Sequence, residues 1–309
     1  MLRSDNISRP RPDTILPPDL AAKVGPLDLT SRRVFFGKLK GERRSKKRGE
    51  SVEFADHRSY VTGDDLRHVD WNIFARLDSL FMKLFLEEED LSLHIVIDGS
   101  ASSDMGGKDN KFVFMQRAAM ALGFVGLTNL NRVAVTIMGG GGAEGGIGAT
   151  LRDLRGRRRT RELATFLCNF QPEGSFNFRE AAERILQSRR GKGVMLVLSD
   201  FFFKDGYESG LRLLVGRGYD VFVGQVLSPQ EIEPPLTGDL RLKDVEDADL
   251  AEVTISAPLL KRYKANLQAY CASLQTFCAQ REINFMSVRS DTPVEVLILD
   301  YMRKRGVVR

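Results

Sequence analysis

Short runs of apolar residues alternate with longer amphipathic stretches over residues 91–306. Helix-start signals and helical spacing fill the intervals, as in Lys111 to Thr128 and Pro258 to Gln280. The apolar runs are typical of strands in a buried parallel sheet, and they are Ser92 to Asp98, Arg132 to Met138, Val194 to Ser199, Tyr219 to Leu227 and Asn284 to Val288. This alternation predicts an α/β fold with a doubly wound, mostly parallel sheet and helices on both faces.

The chain before residue 91 has a different texture. Residues 1–30 carry five prolines and few aromatic side chains, which predicts an extended N-terminal lead-in. Residues 31–90 change from basic to polar without a long helical period, and Ser79 to Glu87 alternates as a strand does. The sequence therefore predicts a lead-in over 1–30, a basic, β-rich module over 31–90 and an α/β domain over 91–306.

The formal net charge of +5 is unevenly distributed along the chain. Residues 32–48 hold nine basic side chains and one glutamate, a local charge of +8, which leaves the rest of the chain near −3. Arg152 to Arg161 forms a second patch with six arginines and one aspartate. Two basic patches on a mildly acidic protein indicate solvated or partner-binding surfaces rather than a body built to bind nucleic acid.

Composition disfavours several further classes of protein. No apolar run approaches the roughly 18 residues that a membrane helix needs, and the first twenty residues lack the apolar centre of a secretory signal. Three cysteines are too few for a disulfide framework. We therefore expect a soluble, cytoplasmic protein without a transmembrane segment.

Acidic and hydroxyl side chains follow two of the predicted strands. Asp98 ends the first strand, Ser100 and Ser102 follow it in the spacing D-x-S-x-S, and Asp200 follows the strand that ends at Ser199. Ligands collect at the carboxyl ends of parallel strands, and hard oxygen donors suit Mg²⁺. The alternative is that these side chains only bond their own turns, as Asp and Ser commonly do.

Other chemical signals are weaker. The glycine run over residues 139–148 matches G-x-G-x-x-G, but no helix follows it directly, which favours a flexible loop over a nucleotide site. His57 and His68 have acidic neighbours without the spacing of a zinc site, and His94 lies within an apolar strand as a core residue would. No cysteine is placed as a nucleophile.

The order of these features resembles the von Willebrand factor A-like fold. That family has a metal-ion-dependent adhesion site made of D-x-S-x-S, a later Thr and a later Asp, which the resemblance places at Asp98, Ser100, Ser102 and Asp200. The family threonine is missing: Ser175 or Phe176 stands in the corresponding segment. The resemblance implies a Mg²⁺ site in which Ser175 supplies the remaining hydroxyl.

A second, more specific resemblance covers residues 49–76. About a dozen positions in this stretch are similar to the signature of the bacterial family called domain of unknown function 58, in which the signature precedes a von Willebrand A-like domain. The matching positions are Glu53-Phe54, Arg58, Tyr60, Gly63-Asp64-Asp65, Arg67, Asp70-Trp71 and Ala75-Arg76. The resemblance extends over roughly residues 35–300.

Arginines and aspartates are interleaved in this signature and are able to form bidentate ion pairs. One interpretation is a rigid, charged platform around Trp71 that presents a surface to a partner. The other is that the ion pairs only hold together a small β-module that lacks a large core. The interaction candidates are Arg58, Tyr60, Asp64, Asp65, Arg67, Asp70, Trp71 and Arg76.

The resemblance implies a non-enzymatic adaptor that works with a MoxR-type AAA+ ATPase in assembling or maturing an unknown client protein or complex. In that role the Mg²⁺ site would bind an acidic side chain of the partner. Two other classes stay open. One is a metal-dependent hydrolase, which lacks a convincing general base, and the other is a nucleic-acid-binding protein that uses the basic patches.

Overall fold

A computed structural model describes residues 9–30, 53–86, 92–105, 107–140, 146–187, 193–236, 238–243 and 250–309. The chain divides into two units, Val34–Asp90 and a larger one formed by Met1–Arg33 with Leu91–Arg309. The predicted basic stretch over 32–48 lies outside the described residues. No described helix combines the length and apolar character needed to cross a membrane.

The strands of the described residues are, in chain order, β1 Glu53–Ser59, β2 Phe81–Leu86, β3 Ser92–Gly99, β4 Arg132–Gly139, β5 Ile147–Leu154, β6 Val194–Ser199, β7 Asp220–Leu227, β8 Gly238–Lys243, β9 Leu250–Ile255 and β10 Asn284–Arg289. The α-helices are α1 Pro18–Val24, α2 Trp71–Leu77, α3 Lys111–Thr128, α4 Thr160–Asn169, α5 Phe178–Gln187, α6 Glu208–Gly216, α7 Pro229–Ile232, α8 Ala257–Ala279 and α9 Val294–Val296. A π-helical segment, Leu297–Met302, continues α9.

The larger unit is built on a six-stranded sheet with the order β10-β7-β6-β3-β4-β5. The pairs from β10 to β4 are parallel, and β5 pairs antiparallel with β4 at the edge. This arrangement confirms the predicted α/β fold with a mostly parallel sheet. The sheet places the ends of β3 and β6 side by side, because these strands are direct neighbours with Ile97 opposite Leu198.

Both faces of the sheet are buried against helices, which explains the nearly continuous apolar sequence of its strands. Ile95 and Ile97 of β3 belong to one hydrophobic cluster together with residues of α3, and Val96 between them belongs to a second cluster with residues of α5, α6 and α8. Alternate residues thus serve opposite faces. His94 is buried among them and bonds Thr136 at 2.8 Å, as a core residue does.

The expectation of an extended lead-in is wrong for residues 9–30. Pro17 and Pro18 start the short helix α1 instead of an extended run, because proline is well suited to the first turn of a helix. Ile15 and Val24 are buried in the core next to α3. Leu29 then pairs with Val308 in an antiparallel bridge. Helix α3 is buried along most of its length, and this N-terminal segment covers part of it.

The smaller unit contains an antiparallel pair, β1 with β2, and the helix α2 between them in sequence. The predicted strand over 79–87 is confirmed as β2. The sequence interpretation missed α2, which begins after Asp70 and has no buried residue. In the larger unit β8 and β9 form a separate two-stranded antiparallel sheet.

Candidate functional site

The loop after β3 folds back on its own carboxylate. Asp98 Oδ1 accepts hydrogen bonds from Ser100 N at 3.0 Å and from Ser100 Oγ at 2.6 Å. The Oγ atoms of Ser100 and Ser102 lie 3.0 Å apart. The bond from Ser100 N is the local contact expected of any Asp in a turn, but the spacing also places two hydroxyl groups beside one buried carboxylate.

Gly99 is required at this position because the chain leaves β3 through a crowded space. A Cβ atom there would lie 2.6 Å from Phe170 Cε1 and 2.7 Å from Ile137 Cγ2 and the Met138 carbonyl oxygen. These distances are shorter than real carbon contacts, so a side chain would displace the loop that carries Asp98.

The end of β6 is tied to the same carboxylate. Ser199 Oγ donates to Asp98 Oδ2 at 2.5 Å and accepts from Phe201 N at 2.9 Å. Phe201 has a φ of 64°, which is rare for a bulky residue. This turn brings Asp200 to the site, where its Oδ1 accepts from Phe202 N at 3.0 Å.

A third segment closes the site from the chain before α5. Glu173 N donates to the carbonyl oxygen of Gly99 at 3.1 Å, and Ala101 N donates to that of Gly174 at 2.8 Å. These backbone bonds hold residues 173–175 against the loop after β3. Ser175, which is exposed, lies at the end of this segment.

All five predicted metal-site residues line one open cleft of about 440 Å³, and they are Asp98, Ser100, Ser102, Ser175 and Asp200. One wall adds the aromatic rings of Phe176, Phe202 and Phe203, and Lys204 and Asp205 also line the cleft. Segments that are distant in sequence thus converge on one concave surface at the carboxyl ends of β3 and β6.

A buried lysine, which the sequence interpretation did not identify, lies next to the cleft. Lys111 is the first residue of α3, and its side chain is 1 % exposed. Its Nζ atom donates to Asp200 Oδ2 at 2.5 Å and to Glu231 Oε1 at 2.6 Å. One acidic residue of the cleft is therefore already paired with a cation from the protein itself.

The carboxylates of the site repel each other. Burial, and after it the negative charge of Asp200, raises the pKa of Asp98 to about 6, although the bonds from Ser100 and Ser199 oppose this shift. Burial alone would lower the pKa of Lys111, but attraction to Asp200 and Glu231 outweighs it and raises that pKa. A cation beside Asp98 would therefore be attracted to this cleft.

The donor set fits a hard divalent cation. Carboxylate and hydroxyl oxygens from Asp98, Ser100, Ser102 and Ser175 are the ligand types that Mg²⁺ takes, and Mg²⁺ usually keeps several waters. Among the described residues no three His, Cys, Asp or Glu side chains converge as a metal site, so a cation here would depend on the serine hydroxyls. Asp200 differs from Asp98 in that its Oδ2 atom already pairs with a cation of the protein, Lys111.

In the smaller unit the signature residues form local ion pairs. Arg58 donates from Nη1 and Nη2 to the two oxygens of Asp64 at 2.6 and 2.7 Å, and Val61 N donates to the same carboxylate. Arg67 makes a similar pair with Asp65, at 2.6 Å for the shortest bond. Hydrogen bonds from the paired arginines are the main cause that lowers the pKa of each aspartate to about 2.

Asp70 links the elements of this unit. It accepts from Asn72 N and Ile73 N at the start of α2, and it lies 3.0 Å from His57 Nε2 on β1 and 3.4 Å from Lys83 on β2. The bond to His57 is the largest cause that lowers the pKa of Asp70 to about 2.

Other signature side chains face solvent. Trp71 is 58 % exposed and touches Phe74 edge to face at 6.0 Å between ring centroids. Arg76 is exposed at the end of α2, and Tyr60 N donates to the Leu80 carbonyl oxygen. The ion pairs stabilise local structure, and Trp71 and Arg76 stay available for contact, so both interpretations of the signature keep support.

The profile of the family described as Protein of unknown function DUF58 matches residues 56–271, more than half of the chain. The chain belongs to this family. The match covers most of the signature and the strand ends that carry Asp98 and Asp200, in agreement with the resemblance seen in the sequence.

Relatives of this DUF58 protein include the uncharacterized protein Rv1480 of Mycobacterium tuberculosis, 27% identical over 78% of this chain and 76% of the relative. Among solved structures, the conserved hypothetical protein BatB from Bacteroides thetaiotaomicron is 13% identical and covers 70% of this chain and 98% of its own, with a TM-score of 0.40. A von Willebrand factor type A protein from Catenulispora acidiphila is 10% identical, with coverages of 73% and 43% and a TM-score of 0.36.

Proposed function

We propose that this DUF58 protein is a non-enzymatic adaptor that docks a protein partner at the cleft lined by Asp98 and Asp200. The observation that carries the proposal is the convergence of both acidic strand ends, three serine hydroxyls and an aromatic wall on one open concave surface. Concave sites with a few placed polar groups and apolar walls are typical of binding sites.

A divalent cation completes this proposal. Asp98, Ser100, Ser102 and Ser175 would hold Mg²⁺, and Asp200 would stay paired with Lys111 as a second negative charge. Bound Mg²⁺ would supply an open position for a carboxylate oxygen of the partner. The aromatic rings of Phe176 and Phe202 would pack against apolar atoms next to that carboxylate.

The residues around the cleft favour docking over catalysis. Neither histidine nor cysteine, the usual catalytic base and nucleophile, is among the described residues that line the cleft. A general base must reach the proton that it removes. A phosphoesterase assay with Mg²⁺ tests the alternative, since turnover lost in Asp98→Asn would support a hydrolase.

A MoxR-type AAA+ ATPase is the proposed partner, with a client protein or complex that it helps to assemble. This choice rests on what the resemblance of the sequence to the DUF58 family implies. The basic patches are assigned no nucleic-acid role in this proposal. In the second basic patch, which the structure describes, Arg157 and Arg159 have partners within the protein. Arg157 lies 5.5 Å over the Phe124 ring and Arg159 pairs with Glu162 at 2.9 Å.

The experiment is a binding measurement between this protein and the purified MoxR-type ATPase of the same organism. Asp98→Asn keeps the shape of the side chain and removes the charge, and Asp153→Asn on the exposed edge strand β5 is the matched control. In the presence of Mg²⁺ we expect the wild type and Asp153→Asn to bind the ATPase and Asp98→Asn not to bind it. EDTA should abolish binding by the wild type. Equal binding by all samples would refute the proposal.

A further inference from the structure

Lys111 carries a charge in a place where charges are rare. Its side chain is 1 % exposed, and lysine is almost never fully buried unless it is paired. Here the pairing is double, with Asp200 at 2.5 Å and Glu231 at 2.6 Å from the same Nζ atom. The ammonium group therefore joins the loop after β6 to the start of α3 and to α7.

Glu231 is itself fixed in position. Its Oε2 atom accepts from Ser228 N at 2.7 Å, and its backbone N donates to Ser228 Oγ at 3.2 Å, which together form a capping box at α7. Tyr263 of α8 donates to the Glu231 carbonyl oxygen at 2.7 Å. The lysine thus connects the cleft residue Asp200 to a rigid partner and not to a mobile surface side chain.

We propose that Lys111 is a built-in counter-cation that keeps the Asp200 loop folded whether or not a divalent ion is bound. The cleft can then gain and lose Mg²⁺ without local unfolding. The gain and loss of Mg²⁺ rests on the proposed function, because it assumes that Mg²⁺ binds. The role of Lys111 as a counter-cation rests only on the contacts of this chain.

The charges around the cleft support this role. Asp98, Glu180, Asp200 and Asp205 line the cleft together with Lys204, and Glu231 and Lys111 lie next to it, so five formal negative charges face two positive ones and attraction for a further cation remains. Without Lys111 the buried Asp200 and the partly buried Glu231 would have no cation at hydrogen-bond distance among the described residues. Removing one partner of a buried ion pair is strongly destabilising because the other charge is left uncompensated.

The test is a thermal melt of Lys111→Met, in EDTA and in excess Mg²⁺. Lys108→Met is the matched control, since Lys108 is exposed three residues earlier in the chain. In EDTA we expect Lys111→Met to melt roughly 10 °C below the wild type and Lys108→Met to melt with the wild type. Mg²⁺ should raise the melting temperature of Lys111→Met more than that of the wild type.

A double variant keeps the test decisive if Lys111→Met folds poorly. Lys111→Met with Glu231→Gln removes one stranded carboxylate, so it should melt above Lys111→Met. A single variant that melts with the wild type in EDTA would overturn the role of Lys111, as would a double variant less stable than the single one. An early melt that Mg²⁺ does not raise would support Lys111 as counter-cation and count against Mg²⁺ in the proposed function.

Discussion

The charge of Asp98 should make this protein less stable at neutral pH when no metal is bound. Burial and the neighbouring Asp200 raise the pKa of Asp98 from 3.8 to about 6. A carboxyl group with a raised pKa binds its proton more tightly in the folded state. The contribution of Asp98 to the free energy of unfolding is therefore greatest below pH 4, and it falls as the pH rises to about 6.

The size of the effect follows from the same shift. The pKa of Asp98 rises from 3.8 to about 6, a shift of roughly two pH units. At 1.36 kcal/mol per unit, this shift lowers the free energy of unfolding at neutral pH by about 3 kcal/mol. Asp98→Asn removes this cost and keeps the size of the side chain. In EDTA at pH 7.5 we expect Asp98→Asn to melt higher than the wild type by as much as about 6–12 °C, less what it loses in bonds to Ser100 and Ser199.

Calorimetry of the whole wild-type and Asp98→Asn proteins between pH 4 and pH 8 measures this difference in melting temperature. The gap between Asp98→Asn and wild type should grow as the pH rises and be smallest near pH 4. Asp153→Asn, on an exposed position, controls for the loss of one negative charge. Mg²⁺ should stabilise the wild type and leave Asp98→Asn unchanged. A gap that is independent of pH, or that grows as the pH falls, would refute the reasoning.

Three further predictions concern the surrounding structure. Gly99→Ala should lower the stability of the larger unit by about 1–3 kcal/mol and weaken partner binding, because its Cβ would meet Phe170 and the Met138 carbonyl oxygen; a melt and binding curve like those of the wild type would contradict the crowding. Ile15→Ala should cost about 2–5 kcal/mol in chemical denaturation, because Ile15 is 1% exposed in the core; a loss below 0.5 kcal/mol, the usual range for surface changes, would show that the N-terminal segment is not packed there. Asp70→Ala should speed amide exchange at Asn72 and Ile73, because both amides donate to Asp70; unchanged exchange would argue against this cap.

The fold could be predicted because each buried strand has a nearly continuous apolar sequence of its own. Val194–Ser199 is apolar at nearly every position, as a strand covered on both faces must be. The π-helical segment Leu297–Met302 could not be predicted, since this type of hydrogen bonding leaves no clear mark in the sequence. The extended lead-in predicted from the prolines of residues 9–30 is wrong because Leu16, Leu20 and Val24 follow each other at helical spacing and pack against the core that contains α3.

The candidate site could be predicted where adjacent residues create it. D-x-S-x-S places Asp98 and Ser100 together within one loop, and the strand order brings Asp200 to the same edge. Lys111 and Glu231 could not be found this way, because they are separated by 120 residues and meet only in the folded chain. Their one local signal was the Ser228 to Glu231 spacing of a capping box, which indicates a helix start and no ion pair.

The central claim is that the cleft beside Asp98 holds a divalent cation. The most direct measurement is anomalous diffraction from crystals of the whole protein soaked in Mn²⁺, with Asp98→Asn crystals treated in the same way. We predict one anomalous peak bounded by Asp98, Ser100 and Ser102 in the wild type and none there in the variant. A cleft without a peak in wild-type crystals, or an equal peak in Asp98→Asn, would contradict the claim.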